Sequence, residues 1–277
     1  MKLCRFDEDR VGVLRGEEVY DITGRLGAPA SGFRIPDLGP WLEQCRRQKL
    51  SETRLLSPVK MPGKVLAAPV NYKAHIEEMK KANISPGHEI WDIEKSGLFL
   101  KASSSVVGPS QGIALRFPER RTDFEVELVA IIGTEASHVK RKDALNHVAG
   151  YCLGLDITLR GSEDRSFRKS IDSYTVLGPW LTTKEEVPDP QHLRLALWQN
   201  GTLRQNTGTA DMLWPLDQLI EFASRFYTLQ PGDAIFTGTP SGVGPIRPGD
   251  KLRAESDRLG SMEVEVRDHK EARRKNR

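Results

Sequence analysis

Two glutamates one residue apart, Glu125 and Glu127 in the run Asp123-Phe-Glu-Val-Glu-Leu128, are the first residues whose types and spacing point to chemistry. Side chains alternate faces along a strand, so the two carboxylates share one face and Phe124, Val126 and Leu128 the other. Like charges side by side repel unless a cation sits between them, and Mg²⁺ and Mn²⁺ both favour oxygen ligands. A solvated strand face accounts equally for an isolated Glu-x-Glu. Here, however, the following Val129–Gly133 is wholly apolar and carries the strand into a core. Asp156 ends a second apolar run, Tyr151–Asp156, reached through one helix-like stretch, a connection that often lays two strands side by side. It reads either as a third carboxylate for the same cation or as an N-cap aspartate, and the residue alone does not choose.

His75 and Glu78 lie three apart in Asn71-Tyr72-Lys73-Ala74-His75-Ile76-Glu77-Glu78. On a helix they share a face, and a carboxylate there fixes an imidazole tautomer and raises its basicity. That arrangement activates a water, although an ordinary surface pair has the same letters. Lys169, in Arg168-Lys-Ser-Ile-Asp172, is either an exposed loop lysine or a cation able to grip a substrate carboxylate or a developing enolate. Gly232–Gly244 (GDAIFTGTPSGVG) is a strand running into a Gly-rich turn. Its N–H groups and hydroxyls can cradle a carboxylate, or its glycines can serve the turn alone. Cys152, inside an apolar strand, reads as a buried structural thiol.

These residues need strands beneath them. Strand signals fall at Lys64–Val70, Gly97–Ala102, Phe124–Gly133, Tyr151–Asp156, Leu193–Gln199, Ala234–Thr237, Asp250–Ala254 and Ser261–Val266. Helices are expected at Tyr72–Ala82, at Lys142–Val148 with Gly150 as its cap, and at Leu216–Ser224. Residues 1–57 read as a small α/β unit, with three short strands, a Gly/Pro-rich loop from Gly27 to Gly39 and a polar helix around Trp41–Lys49. Residues 58–268 form the main domain and 269–277 a basic tail. The pattern is α+β and β-rich, without repeating βαβ units.

The 277 residues are 38% hydrophobic, enough for a sizeable core, and the mean hydropathy is −0.47. No apolar run approaches the roughly 20 residues that span a bilayer, and the acidic N-terminus lacks a signal peptide's apolar stretch. The expectation is therefore a cytoplasmic protein with no membrane contact. A net charge of +3 is too small to argue for nucleic acid. Three scattered cysteines form no disulfide framework. No GxxxxGK[ST] or HExxH occurs, so P-loop nucleotide binding and zinc proteolysis find no support.

In order along the chain, NYKAHIEE, SSSVVGPSQGI, DFEVELVAIIG, GLDITLR, KSID with LGPW, and GDAIFTGTPSGVG resemble the fumarylacetoacetate hydrolase family from about residue 60 to 267. The resemblance implies a mixed β-roll with a small N-terminal domain, and a homodimer. It implies one Mg²⁺ or Mn²⁺ on Glu125, Glu127 and Asp156, with Ca²⁺ able to replace it in crystals. It implies a catalytic His75–Glu78 pair with Lys169, and substrate contacts from Arg160, Thr239, Asn71 and Tyr72. The substrate would be a small 2-oxo or 2,4-dioxo acid cleaved at a C–C bond. Decarboxylation, isomerisation or hydration of a 2-oxo acid is the alternative, and a non-catalytic acid-binding role the second. Three places depart from the family pattern. Gly161 follows Arg160, and Glu163 stands where a glutamine is usual, placed to repel a second substrate carboxylate. Ala68 to Val70 replace the glycine that usually precedes the Asn-Tyr pair.

Overall fold

Unbroken apolar runs form the centre of the molecule because they are covered on both faces. In the computed structural model, which describes residues 1–25, 42–82 and 92–270, every residue of the strands Val126–Ile132, Val148–Asp156 and Thr175–Thr183 is buried. Alternation still sorts their side chains. Leu128, Ala130 and Ile132 join the larger core cluster, whereas Val129 and Ile131 join a second cluster on the opposite face.

These three strands lie within a twelve-stranded sheet. Val148–Asp156 pairs antiparallel with Val126–Ile132 on one side and with Thr175–Thr183 on the other. Beyond Val126–Ile132 come Ala234–Phe236, then Val65–Ala67 in parallel, then Phe99–Lys101. Beyond Thr175–Thr183, Lys2–Phe6 pairs antiparallel and leads into Arg10–Arg15, Glu18–Asp21 and Arg47–Lys49. The N-terminal strands thus continue the main sheet. A five-stranded sheet, Thr202–Gly208, Arg194–Gln199, Lys251–Ser256, Gly260–Asp268 and Ile113–Leu115, covers one face, and a three-stranded sheet joins Thr158–Leu159, Thr122–Phe124 and Gly244–Pro245. The amphipathic helix Leu216–Phe226 buries Leu216, Ile220 and Ala223 in the larger cluster.

The β-rich mixed class matches the sequence expectation, with local corrections. The polar helix expected near Trp41–Lys49 is a short 3-10 turn, Leu42–Gln44, and a strand, Arg47–Lys49, whose backbone pairs with Glu18–Tyr20; Trp41 and the Gly27–Gly39 loop lie outside the described residues. Gly150 is a mid-strand residue and caps no helix. A Cβ there would approach the Thr182 carbonyl oxygen to 2.3 Å, so the glycine permits close strand approach. The helix before it is shorter than expected, Arg141–Ala144 with a 3-10 turn to His147. Two strands carried no clear signal. Thr202–Gly208 buries only Gln205 and so lacks apolar alternation. Thr175–Thr183 contains Gly178-Pro179, which argues against a central strand, and the ladder tolerates it where its register slips between Tyr151 and Leu153.

Candidate active site

The carboxylates converge because of register. Val126 lies opposite Leu155 and Glu127 opposite Gly154, and the Asp156 N–H donates to the Glu125 carbonyl at 2.9 Å. Glu125, Glu127 and Asp156 therefore project from one face across two neighbouring strands. Their ligand atoms lie within 4.8 Å of one another and all three residues are buried. The N-cap alternative for Asp156 falls away: it ends the strand Val148–Asp156, and its side chain faces ammonium groups.

Cations surround this cluster. Lys169 Nζ lies 2.8 Å from Glu125 Oε2 and 2.5 Å from Asp156 Oδ2. Arg160 spans Glu125 and Asp123, 2.8 Å from each. Lys101 pairs with the other Asp156 oxygen and donates to the Tyr174 carbonyl at 2.8 Å. Burial pushes the Glu125 carboxyl upward, but Lys169, Arg160 and His75 outweigh it and hold the group below the usual carboxylate range. Glu127 goes the other way. Burial raises it and the Asp156 charge adds to that, against weaker relief from Lys169 and the Gly238 N–H. Burial pushes the Lys101 ammonium down, opposed by Asp156.

Three close, desolvated carboxylates, one driven towards its neutral form by burial and by its neighbours, make an all-oxygen donor set that a hard divalent cation fits. The Tyr72 hydroxyl is consistent with a ligand beside it. It is buried without a hydrogen-bond partner among the described residues, and burial, with the Glu127 charge, raises its pKa.

His75 stands on the helix Lys73–Ala82, 3% exposed. Its Nδ1 is 3.1 Å from Glu78 Oε2, and Glu78 Oε1 accepts from the Gly242 N–H at 3.0 Å. The helix start is pinned by Asn71, whose amide donates to the Trp214 and Thr237 carbonyls and accepts from the Trp214 N–H. Thr239 Oγ1 donates to the Val126 carbonyl and accepts from Gln205 Nε2, 2.9 Å each. Asn71 and Thr239 thus brace the wall, whereas Lys169 and Arg160 contact the acids directly.

Glu163 does not present a bare negative charge. Arg120 Nη1 lies 2.8 Å from Glu163 Oε1, and Nη2 donates to the Arg160 carbonyl. A Cβ on residue 161 would lie 2.1 Å from Glu163 Oε2 and 2.5 Å from Arg120 Nη2, so Gly161 makes room for the pair.

Lys101 escaped the sequence reading. Its signal was a lysine inside an otherwise apolar strand, Phe99–Lys101, where an unpaired charge is costly. The GPSQG segment, Gly108–Gly112, spells the GxSxG of a serine-hydrolase elbow. It forms a 3-10 turn, Pro109–Gln111, and Ser110 makes no hydrogen bond to a base among the described residues. Cys152 is the buried thiol expected, its pKa pushed up to about 12 by burial.

A sequence profile for the fumarylacetoacetate (FAA) hydrolase C-terminal domain matches residues 64–267. The chain belongs to the fumarylacetoacetate hydrolase family. Within the family, a maleylpyruvate hydrolase from Aquipseudomonas alcaligenes is 46% identical over 285 residues, 96% of this chain and 99% of that protein. The human mitochondrial oxaloacetate tautomerase FAHD2B is 36% identical, covering 89% of this chain and 75% of that one. A crystal structure of maleylpyruvate hydrolase from Sphingobium sp. SYK-6, in complex with manganese(II) and pyruvate, superimposes with a TM-score of 0.83 at 38% identity, covering 97% of this chain and 99% of that chain. The family fold expected from the six sequence blocks is thus the fold observed.

Proposed function

We propose that the protein is a divalent-metal-dependent hydrolase that cleaves the C–C bond of an acylpyruvate of the maleylpyruvate kind. The observation that carries this is the buried Glu125–Glu127–Asp156 set together with the His75–Glu78 pair, the two tied to one Gly-rich turn through the Gly238 N–H on Glu127 and the Gly242 N–H on Glu78. The sequence similarity to the Aquipseudomonas enzyme along nearly its whole length supports the same reading.

Mn²⁺ or Mg²⁺ bound by these carboxylates supplies Lewis-acid polarisation of a 2-oxo acid. The remaining steps belong to the chain's own groups. Glu78 holds the Nδ1 side of His75, so Nε2 is the basic nitrogen that takes a proton from water. The hydroxide adds to the distal carbonyl and the bond to the methylene carbon breaks. The acyl part leaves as a carboxylic acid, and the electron pair passes to pyruvate enolate. Lys169 offers that oxygen a charged hydrogen bond. The His75 proton then returns to the methylene carbon, giving pyruvate. Arg160 holds Glu125 in place, and Tyr72 offers its unpaired hydroxyl to the substrate.

Acetylpyruvate, maleylpyruvate and oxaloacetate are the panel that tests this, each with Mn²⁺ and with EDTA. Metal-dependent loss of acylpyruvate with equimolar pyruvate is the expected result. Tautomerisation or decarboxylation of oxaloacetate without acylpyruvate cleavage would replace the reaction while keeping the site. The similarity to the human tautomerase favours that second reading, which needs only the proton shuttle of His75. A cytoplasmic homodimer completes the proposal; light scattering of the purified chain and cell fractionation test it.

A further inference from the structure

Lys169 is the last residue of the short helix Arg165–Lys169, which Asp164 caps by accepting the Ser166 N–H at 2.8 Å. Residues four apart on a helix share a face, so Arg165 lies one turn before Lys169 on the side that meets the carboxylates. Lys169 reaches Glu125 and Asp156 directly. Arg165 is half-buried and makes no hydrogen bond or ion pair among the described residues. A guanidinium partly removed from water without a carboxylate is costly unless something else satisfies it. Burial lowers its pKa, and the charges of Asp164 and then Glu125 work against that. The neighbouring Arg168 has different employment, donating at 3.2 Å to each of the Leu159 and Glu163 carbonyls.

We infer that Arg165 receives the distal carboxylate of a dicarboxylic 2-oxo substrate, one helical turn from the end at which Lys169 stands. The inference rests on the acylpyruvate reading for the near end of that substrate. A helical turn rises about 5.4 Å, comparable with the offset between the reacting carbonyl and the far carboxylate of a short diacid. A guanidinium offers two parallel donors to such a carboxylate. Charge balance favours the same ligand. Lys101, Lys169 and Arg160 already pair with Asp156, Glu125 and Asp123. A divalent cation added to this set, together with Arg165, leaves positive charge that a dianion offsets better than a monoanion. The Arg120–Glu163 pair keeps the Glu163 charge neutralised.

The test uses the Mn²⁺-loaded full chain and two non-hydrolysable probes of equal length, 2-oxoheptanedioate and 2-oxoheptanoate, titrated calorimetrically into wild type, Arg165→Gln and Arg165→Lys. Wild type should prefer the diacid by about 10- to 100-fold, the worth of a charged hydrogen-bonded pair. Arg165→Gln should erase that preference with little effect on the monoacid, and Arg165→Lys should restore part of it. A diacid preference that survives in Arg165→Gln, an equal loss for both probes, or no preference in wild type would overturn the assignment. Maleylpyruvate and acetylpyruvate hydrolysis are followed in parallel. Absence of both activities in wild type would sink the hydrolase reading, while the binding comparison still decides the role of Arg165.

Discussion

Lys101 and Lys169 grip the same carboxylate, one on each oxygen of Asp156. They differ in freedom. Lys101 is tied to the Tyr174 carbonyl inside the sheet, its side chain fully buried, whereas Lys169 ends a short helix and also touches Glu125. Lys101 is thus a fixed counter-charge, and Lys169 is the cation that the proposed hydrolysis would turn towards its enolate.

Lys101→Met should therefore destabilise the metal-free protein by about 1.5–3 kcal/mol, the worth of one charged hydrogen bond, since Asp156 keeps Lys169. Mn²⁺ should narrow the gap to wild type, because the cation replaces the positive charge that the variant lacks at Asp156, binds it more tightly and so stabilises its folded state more. Thermal melting in EDTA and in excess Mn²⁺ measures both; equal losses under the two conditions would contradict the counter-charge role.

Glu127→Gln has the opposite sign. Burial and Asp156 already push this carboxyl towards its neutral form, so its removal relieves repulsion. In EDTA the variant should melt about 2–4 °C above wild type, the shift that roughly 1 kcal/mol gives in a chain of this size. The rise in Tm that Mn²⁺ gives wild type should disappear.

His75→Ala should lower kcat by about 10²–10⁴-fold, the typical contribution of a general base. Mn²⁺ affinity, followed by electron paramagnetic resonance, should stay within a few-fold. Glu78→Gln should cost less, about 10–100-fold, since it orients the base without touching the reacting atoms.

Acid should loosen the N-terminal strands. Burial raises the Asp21 carboxyl, but Thr23, through its hydroxyl and N–H, and Arg10 together hold it below the usual range. A depressed folded-state pKa contributes stability that is present above the unfolded value and lost as pH falls through the folded one. Asp21→Asn should thus melt below wild type near about pH 7, and the gap should close below about pH 4. A gap that persists at low pH would assign the loss to packing instead.

Much of the acidic cluster was legible because it depends on local rules. Alternation put Glu125 and Glu127 on one face, whereas Asp156 stayed open between a ligand and an N-cap until the family resemblance placed it with them. The His75–Glu78 pair needed only a helix. Lys101 and Arg165 were not legible, because their roles are set by partners far along the chain: Lys101 meets Asp156 through a sheet order that no local pattern encodes. Glu163 was misjudged for the same reason, since the arginine that neutralises it lies in a distant loop. Thr175–Thr183 hid behind its Gly-Pro pair, a feature that only the irregular ladder beside it makes tolerable.

Glu78 spends one oxygen on the imidazole and the other on the backbone of the Gly-rich turn. Arming the base and latching its helix are therefore one event. Were the helix to swing outward, the carboxylate would leave the turn and the imidazole would lose the geometry that makes it a directed base. A partly open molecule could collect a substrate but not send water at it, so reactive 2-oxo acids would be spared until the wall is shut.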